Sequence, residues 1–335
     1  MAIITVPLAE VKQKVLKFVK ANGLNNEDAA TFTELVIEQE LVGNAFSTLG
    51  ELAGKHMRLL GSEQAQEEVV VDKNAARLYK GNGRMATLIT ADHLDEAIAN
   101  AKQKGIYAFG IFDSTYNEFF DIFCRRIAAQ DCIGIIVENG GPQGVVPFGG
   151  KSDVTGTNPL AYGIPSNGHP FVFDAATAAH AWGLIRVARE RGEQLPQNAY
   201  VDKEGNVTTD PKKAVAVLPF GGFKGYAINI LVDVLSGCLV RAKSGMDVPL
   251  EADPHIGTFI LIIDPASFGD LEAFKASTAK LAQDIMAVQP VDPAQPVRIP
   301  GFRGAERRER LLEAGVLEIE ESDWLKFQNA YEILD

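Results

Sequence analysis

Two short segments hold the residues best placed to do chemistry. Leu218-Pro219-Phe220-Gly221-Gly222-Phe223-Lys224-Gly225 stands directly before an apolar helical run at 226–240. Backbone N–H groups in a glycine-rich turn, the positive end of a helix and one lysine together suit a pyrophosphate or a carboxylate. A plain loop with a glycine hinge has the same pattern. The second segment, Phe171-Val172-Phe173-Asp174-Ala175-Ala176-Thr177, sets an acid at the end of a buried strand and follows it with small residues that let a ligand approach the backbone. Asp174 suits a ribose or nicotinamide contact there. It equally suits the N-cap of a helix beginning at Ala175, and the two roles can coexist. The chain enters this segment through Thr155-Gly156-Thr157-Asn158-Pro159-Leu160 and Gly163-Ile164-Pro165, both rich in turn residues.

Gly81-Asn82-Gly83-Arg84-Met85-Ala86 matches by spacing the glycine fingerprint of dinucleotide-binding βαβ units. The strand that should precede it, Arg77-Leu78-Tyr79-Lys80, is half polar, and no acid closes a second strand about twenty residues later. The segment reads as an ordinary turn leading into a helix at 90–104. The histidines His56, His93, His169, His180 and His255 form no metal-ligand spacing, and the cysteines Cys124, Cys132 and Cys238 form neither a ligand pair nor a disulfide framework. No metal is expected.

A chain of 335 residues with 46% hydrophobic side chains can form a substantial core to position these segments. The 44 acidic against 32 basic residues leave a net charge of -12, which repels phosphate backbones and anionic membranes and argues against nucleic acid as a partner. The amino terminus lacks the basic, apolar and small-residue succession of a leader peptide. The longest apolar run, 225–240, is interrupted by Asn229 and Asp233 and is shorter than the roughly 20 residues that span a bilayer. A soluble, cytoplasmic protein is the expectation.

Apolar residues recur at helical spacing from Leu8 to Val19, with Thr5 as a candidate N-cap, and again after Asn26. From Val69 the texture changes to short β-rich runs at 69–71, 108–112, 133–137, 171–173 and 256–263. Helical patterns lie between them at 90–104, 119–130, 175–191 and 225–240. The strands do not alternate with helices at a steady period, so a doubly wound parallel sheet is disfavoured. A proline-bearing linker at 290–300 precedes helical patterns at 306–314 and 324–333, which are expected to dock on the amino-terminal helices because neither unit alone carries enough apolar surface. The expected organisation is a helical domain of residues 1–65 completed by 290–335, and an α/β domain of residues 66–289.

The sequence resembles the malate/lactate dehydrogenase family that is unrelated to the Rossmann enzymes and includes ureidoglycolate dehydrogenase, diketogulonate reductase and piperideine-carboxylate reductase. The matching pieces are Gly156-Thr157-Asn158-Pro159-Leu160, Asp174-Ala175-Ala176-Thr177, Gln194-Leu195-Pro196, Asp202-Lys203-Glu204-Gly205-Asn206, Pro219-Phe220-Gly221-Gly222-Phe223-Lys224-Gly225 and Pro300-Gly301. The resemblance implies an α/β (α+β) fold with a predominantly antiparallel mixed sheet and flanking helices, a helical domain built from both termini, and a homodimer that helps close the active site. It implies NAD or NADP as cofactor, touched by Pro170, Phe171, Val172, Phe173, Asp174, Ala175 and Ala176, by Phe223, Lys224 and Gly225, and by Gly301, Phe302 and Arg303.

The departures from the family pattern bear on the chemistry. Its Ser-His-Gly motif falls on Phe46-Ser47-Thr48, and the arginine four residues past that histidine falls on Glu51. A second family histidine falls on Tyr116. Three readings follow. Tyr116 is the proton donor, its pKa of about 10 lowered by a cation such as Lys151, with Ser47 as a further candidate; or His180, past Asp174, replaces the imidazoles; or the chain binds a dinucleotide without catalysis. Glu51, Asn139 and Lys151 are the expected substrate contacts. An acid at position 51 repels a substrate carboxylate and favours a cationic or uncharged carbonyl or imine, unless it points to solvent or pairs with Lys55. The expected activity is hydride transfer between NAD(P)H and such a small molecule.

Overall fold

The computed structural model describes residues 2–43, 48–54, 65–141, 144–249 and 256–333. The chain opens with β1 (Ile3–Pro7), then α1 (Leu8–Ala21), α2 (Asn26–Val42) and α3 (Thr48–Leu52). The body follows as β2 (Glu68–Lys73), β3 (Ala76–Lys80), α4 (Ala86–Lys104), β4 (Ile106–Ser114), α5 (Phe120–Ala129), β5 (Ile133–Glu138), β6 (Pro159–Ile164), β7 (Phe171–Ala176) and α6 (Leu184–Arg191). Short strands β8 (Tyr200–Val201), β9 (Val207–Thr208) and β10 (Ala216–Val217) precede α7 (Phe223–Asp233), which continues as a π-helical stretch over Val234–Leu239. The chain finishes with β11 (Ile256–Ile263), α8 (Leu271–Met286), α9 (Phe302–Ala314), β12 (Val316–Glu320) and α10 (Glu321–Glu332).

The main sheet has seven strands in the order β2-β3-β4-β11-β5-β6-β7. Only the β3–β4 pair is parallel. A sheet of this kind matches the mixed, predominantly antiparallel expectation. Its central strand β11, Ile-Gly-Thr-Phe-Ile-Leu-Ile-Ile, is nearly continuous in β-branched and aromatic residues, as a strand paired on both sides and covered by helices requires.

The two ends of the chain interlock. β1 pairs antiparallel with β12 from Ile3↔Glu320 to Pro7↔Val316, and the rings of Phe18 on α1 and Phe327 on α10 meet edge to face at 5.2 Å. One hydrophobic core runs from these helices through Phe32 and Leu35 to Phe109, Ile136 and Ile260 of the sheet.

Three local expectations are corrected. Thr5 lies within a strand and caps nothing: Ile3, Ile4 and Val6 favour extended backbone, and α1 starts only after Pro7, whose missing N–H and fixed φ suit a helix entry. Asp174 is not an N-cap either. Its strand keeps full register with β6 as far as Ala176↔Pro159, and the next helix starts at Leu184. The apolar run after Gly225 does not stay α-helical beyond Asp233.

Candidate active site

β7 presents alternate residues to two environments, as a strand must. Phe171 packs on α8 against Ala282 and Ile299, and the Phe173 ring stacks on Tyr162 at 5.4 Å. Val172 and Asp174 face the other way, toward a cavity of about 1360 Å³. α5 lies directly over this face. Gly163 on β6 permits the approach: a Cβ there would stand 2.2 Å from the carbonyl oxygen of Cys124 in α5. The helix begins after Phe119, which is held at φ 63, a left-handed conformation uncommon for a bulky side chain. This sharp turn sets the first turn of α5, with Asp121, against Asp174.

Two further segments join β7. The Pro300 carbonyl accepts a hydrogen bond from Val172 N–H at 3.0 Å, and Arg125 Nη2 of α5 donates to the Gly301 carbonyl at 3.0 Å. Gly301 has φ +88, and a Cβ there would lie 2.8 Å from Val172 backbone atoms, so only glycine fits. Beyond the end of β7, Ala179 N–H donates to the Leu218 carbonyl at 2.8 Å and Phe220 N–H to the Thr177 carbonyl at 3.1 Å. The 300–303 segment thus borders β7 itself, and the 218–225 segment borders the chain just beyond it, at 177–179.

The glycine loop is fixed by backbone sterics. Gly221 and Gly222 take φ +57 and +66, and a Cβ on Gly225 would stand 1.8 Å from the Phe220 carbonyl oxygen. α7 starts at Phe223, so its first-turn N–H groups have no partner within the helix. Lys224 is exposed at this end and makes no ion pair among the described residues. A cation, orphan donors and a helix amino terminus form a cradle that fits a dinucleotide phosphate. A buried network fastens α7 behind it. Asn229 Nδ2 donates to the Gly156 carbonyl at 3.1 Å and Thr177 Oγ1 at 2.9 Å, while its Oδ1 accepts from Thr155 Oγ1 at 2.7 Å. Asn158, itself at φ 44, accepts from Gly140 N–H at 3.0 Å and donates to the Asn229 carbonyl at 3.1 Å.

The cavity holds charge at its floor. Water reaches Asp174 from the cavity while protein crowds its other sides. That desolvation, with the neighbouring Asp121 carboxylate, pushes Asp174 up from 3.8 to about 7. Asp121 is also raised by burial, against the opposing pull of Arg125 one turn along α5. Gln39 and Glu40 of α2, Glu51 of α3 and Arg303 of α9 complete the surrounding wall.

The structure brings Val172, Asp174, Gly301, Arg303 and Glu51 together around this cavity. Ser47 lies outside the described residues, as does Lys55, the alternative partner for Glu51. Other expected site residues lie away from this cavity. Phe171 and Phe302 pack against each other at 5.8 Å on the α8 side. Tyr116 does not line the cavity, and burial together with Glu138 and Glu118 raises its hydroxyl pKa instead of lowering it. Lys151 is exposed, with its stem against the Gly205 turn of the small sheet. His180 is exposed outside the cavity, its ring parallel to Tyr200 at 6.3 Å. Asn139 is fully buried and structural: its amide donates to the Lys243 carbonyl and accepts from Gly257 N–H, each at 2.6 Å. Sequence reading misses Asp121, Arg125 and Gln39. The available signal for the first two is an acid and a base four residues apart on a short, largely apolar helix whose other charge is Arg126.

Comparison with known proteins agrees with this architecture. The family model for malate/L-lactate dehydrogenase matches residues 6–328. The malate/(S)-sulfolactate dehydrogenase of Methanothermus fervidus is 32% identical over 303 residues, covering 88% of each chain. Ureidoglycolate dehydrogenase (NAD(+)) of Escherichia coli is 32% identical over 291 residues, 83% of this chain and 82% of that one. The crystallised sulfolactate dehydrogenase of Methanocaldococcus jannaschii superposes with a TM-score of 0.86 at 25% identity, over 99% of this chain and 97% of its own. With a cleft floored by β7, walled by both chain ends and matched from residue 6 to residue 328, the chain belongs to the malate/L-lactate dehydrogenase family.

Proposed function

We propose that this protein is an NAD(P)H-dependent reductase or dehydrogenase of a small carbonyl or imine compound. The observation that carries the reading is the convergence of three sequence-distant segments: 300–303 lies against the edge strand β7, and 218–225 pairs with residues 177–179 where that strand ends. In it, the α7 cradle and Lys224 hold the dinucleotide phosphates, while the Val172–Asp174 face and the Gly301 turn orient the nicotinamide end. The cofactor supplies the hydride when bound. The residues around the cavity, Glu51 and Arg303 among them, bind the substrate, a small carbonyl or imine compound.

We also infer a homodimer. α7 and its π-helical continuation expose Phe223, Ile230, Leu231, Val234 and Leu239 at 60%, 41%, 52%, 46% and 57%, a run of apolar surface that a second copy would cover. Phe223 opens the first turn of α7, so such a partner would border the cofactor cradle.

Fluorescence titration with NADH and with NADPH tests the cofactor assignment. Replacing one charge-assisted phosphate contact costs about 1.5–3 kcal/mol, so Lys224→Ala is expected to weaken the preferred dinucleotide at least tenfold. Equal affinity in the variant contradicts the assignment.

A further inference from the structure

We propose that Asp174 is the group that exchanges a proton with the substrate, and that Asp121 beside it is a positioning residue that holds it in its protonated form. This rests on the dinucleotide reading above and supplies what the expected histidine positions lack. The geometry has four parts. Asp174 faces the cavity from the strand that borders the proposed nicotinamide position, on the same side as Val172 and the Gly301 turn. Asp121 lines the same cavity from the first turn of α5, and its backbone N–H is directed at the Asp174 carboxyl. Its own Oδ1 is buried without a hydrogen-bond partner. Gln39, 4% exposed, lines the cavity from α2, and its Nε2 is likewise unpartnered although it leans on Asp121. A floor with an accessible acid backed by orphaned polar atoms is incompletely satisfied by the protein alone.

A hydride from the reduced nicotinamide dinucleotide adds to the carbonyl or imine carbon, and the C=O or C=N π pair takes the proton of the Asp174 carboxylic acid. The O–H bond of Asp174 breaks, an alcohol or amine forms, and the remaining carboxylate regains a proton from water entering the cavity. A carboxyl that titrates near neutrality performs this transfer in both directions.

Other charged groups lie around Asp174. On α5, Cys124 is fully buried with its thiol pushed well above its ordinary range, and Arg125 remains a cation tied to the Gly301 carbonyl. Glu138 on β5 is buried, its carboxyl pushed well above the usual range by desolvation, and it accepts hydrogen bonds from Asn117 N–H and Thr258 Oγ1. Arg303 of α9, Glu40 and Glu51 of the amino-terminal helices, and Arg186, Glu190 and Arg191 of α6 face it across the cavity. Among the described residues, Asp121 is the one that presses a second carboxylate on it from its own side.

The experiment titrates the protein, with its aspartates carrying 13C in the carboxyl carbon, by NMR in wild type, Asp121→Asn and Asp174→Asn, and records kcat/KM against pH for the reductive reaction of each. Both substitutions are nearly isosteric, and circular dichroism verifies folding. The expected wild type shows one aspartate titrating near pH 7, absent in Asp174→Asn and moved down by at least one pH unit in Asp121→Asn. The alkaline limb of kcat/KM moves down with it, dinucleotide affinity in Asp121→Asn stays within threefold, and Asp174→Asn loses at least 100-fold in turnover. An unmoved titration in Asp121→Asn, or turnover within threefold in Asp174→Asn, overturns the proposal and leaves the dinucleotide reading standing. Failure of both NADH and NADPH to bind the wild type overturns the two together. The NMR arm needs no substrate and decides the carboxyl pair by itself.

Discussion

Asp174 carries a cost that reveals its environment. An acid whose pKa rises from 3.8 to about 7 on folding is neutral in both states at low pH and must ionise against the fold at high pH. Its contribution is therefore fully present below pH 4 and lost as pH rises through about 7. A tenfold change in proton affinity is worth about 1.4 kcal/mol, and the water that reaches the side chain from the cavity screens part of it, so the net effect is of order 1–3 kcal/mol. Asp174→Asn, which cannot ionise, is expected to match the wild-type melting temperature at pH 4 and to exceed it by a few degrees at pH 8. Equal melting temperatures at both pH values would show that the carboxylate is well solvated. The same residue illustrates what a sequence discloses. That Asp174 lies on a strand is legible from the apolar residues before it. Its pairing with Asp121, more than fifty positions away, depends on the left-handed turn at Phe119 and the bare face of Gly163, neither of which has a local signature.

At the scale of elements, the glycine loop and α7 are the part of the site that sequence exposes best. Gly221, Gly222 and Gly225 each answer a backbone demand, and the helix starts where the loop stops. α8 lies outside the expected elements because its surface is polar and its only fully buried residue is Ala282, which leaves little periodicity to read. The segment after Asp174 has a helical pattern from Ala175, but pairing with β6 extends the strand, and tertiary pairing overrides local propensity. α7 also makes a prediction of its own. Its exposed Leu231, with Val234 and Leu239 just beyond it, would be unusual on an isolated monomer. Sedimentation of the free protein is expected to give the dimer mass, and substitution Leu231→Glu to shift it toward the monomer. A wild-type protein that sediments as a monomer at micromolar concentration contradicts the dimer.

For the molecule as a whole, the chain ends do more than cap the core. β12 binds β1, α9 contacts α2, and α9 begins at the Gly301 turn that touches Val172, so closing the helical unit also completes the wall of the cleft. The mixed sheet is legible from unevenly spaced strands. The cavity is not, because its walls come from β1, α2, α3, α5, β7, α6, α9, β12 and α10, and only tertiary structure brings them to one place. The proposed activity requires that a nicotinamide dinucleotide lie along β7 from the α7 cradle to the Gly301 turn. A crystal structure of the protein grown with saturating NADH or NADPH tests this most directly. The phosphates are expected within hydrogen-bonding distance of Lys224 and the first-turn N–H groups of α7, with the nicotinamide ring beside Val172, Asp174 and Gly301. A dinucleotide bound elsewhere, above all on the Gly81-Asn82-Gly83 turn, would contradict it.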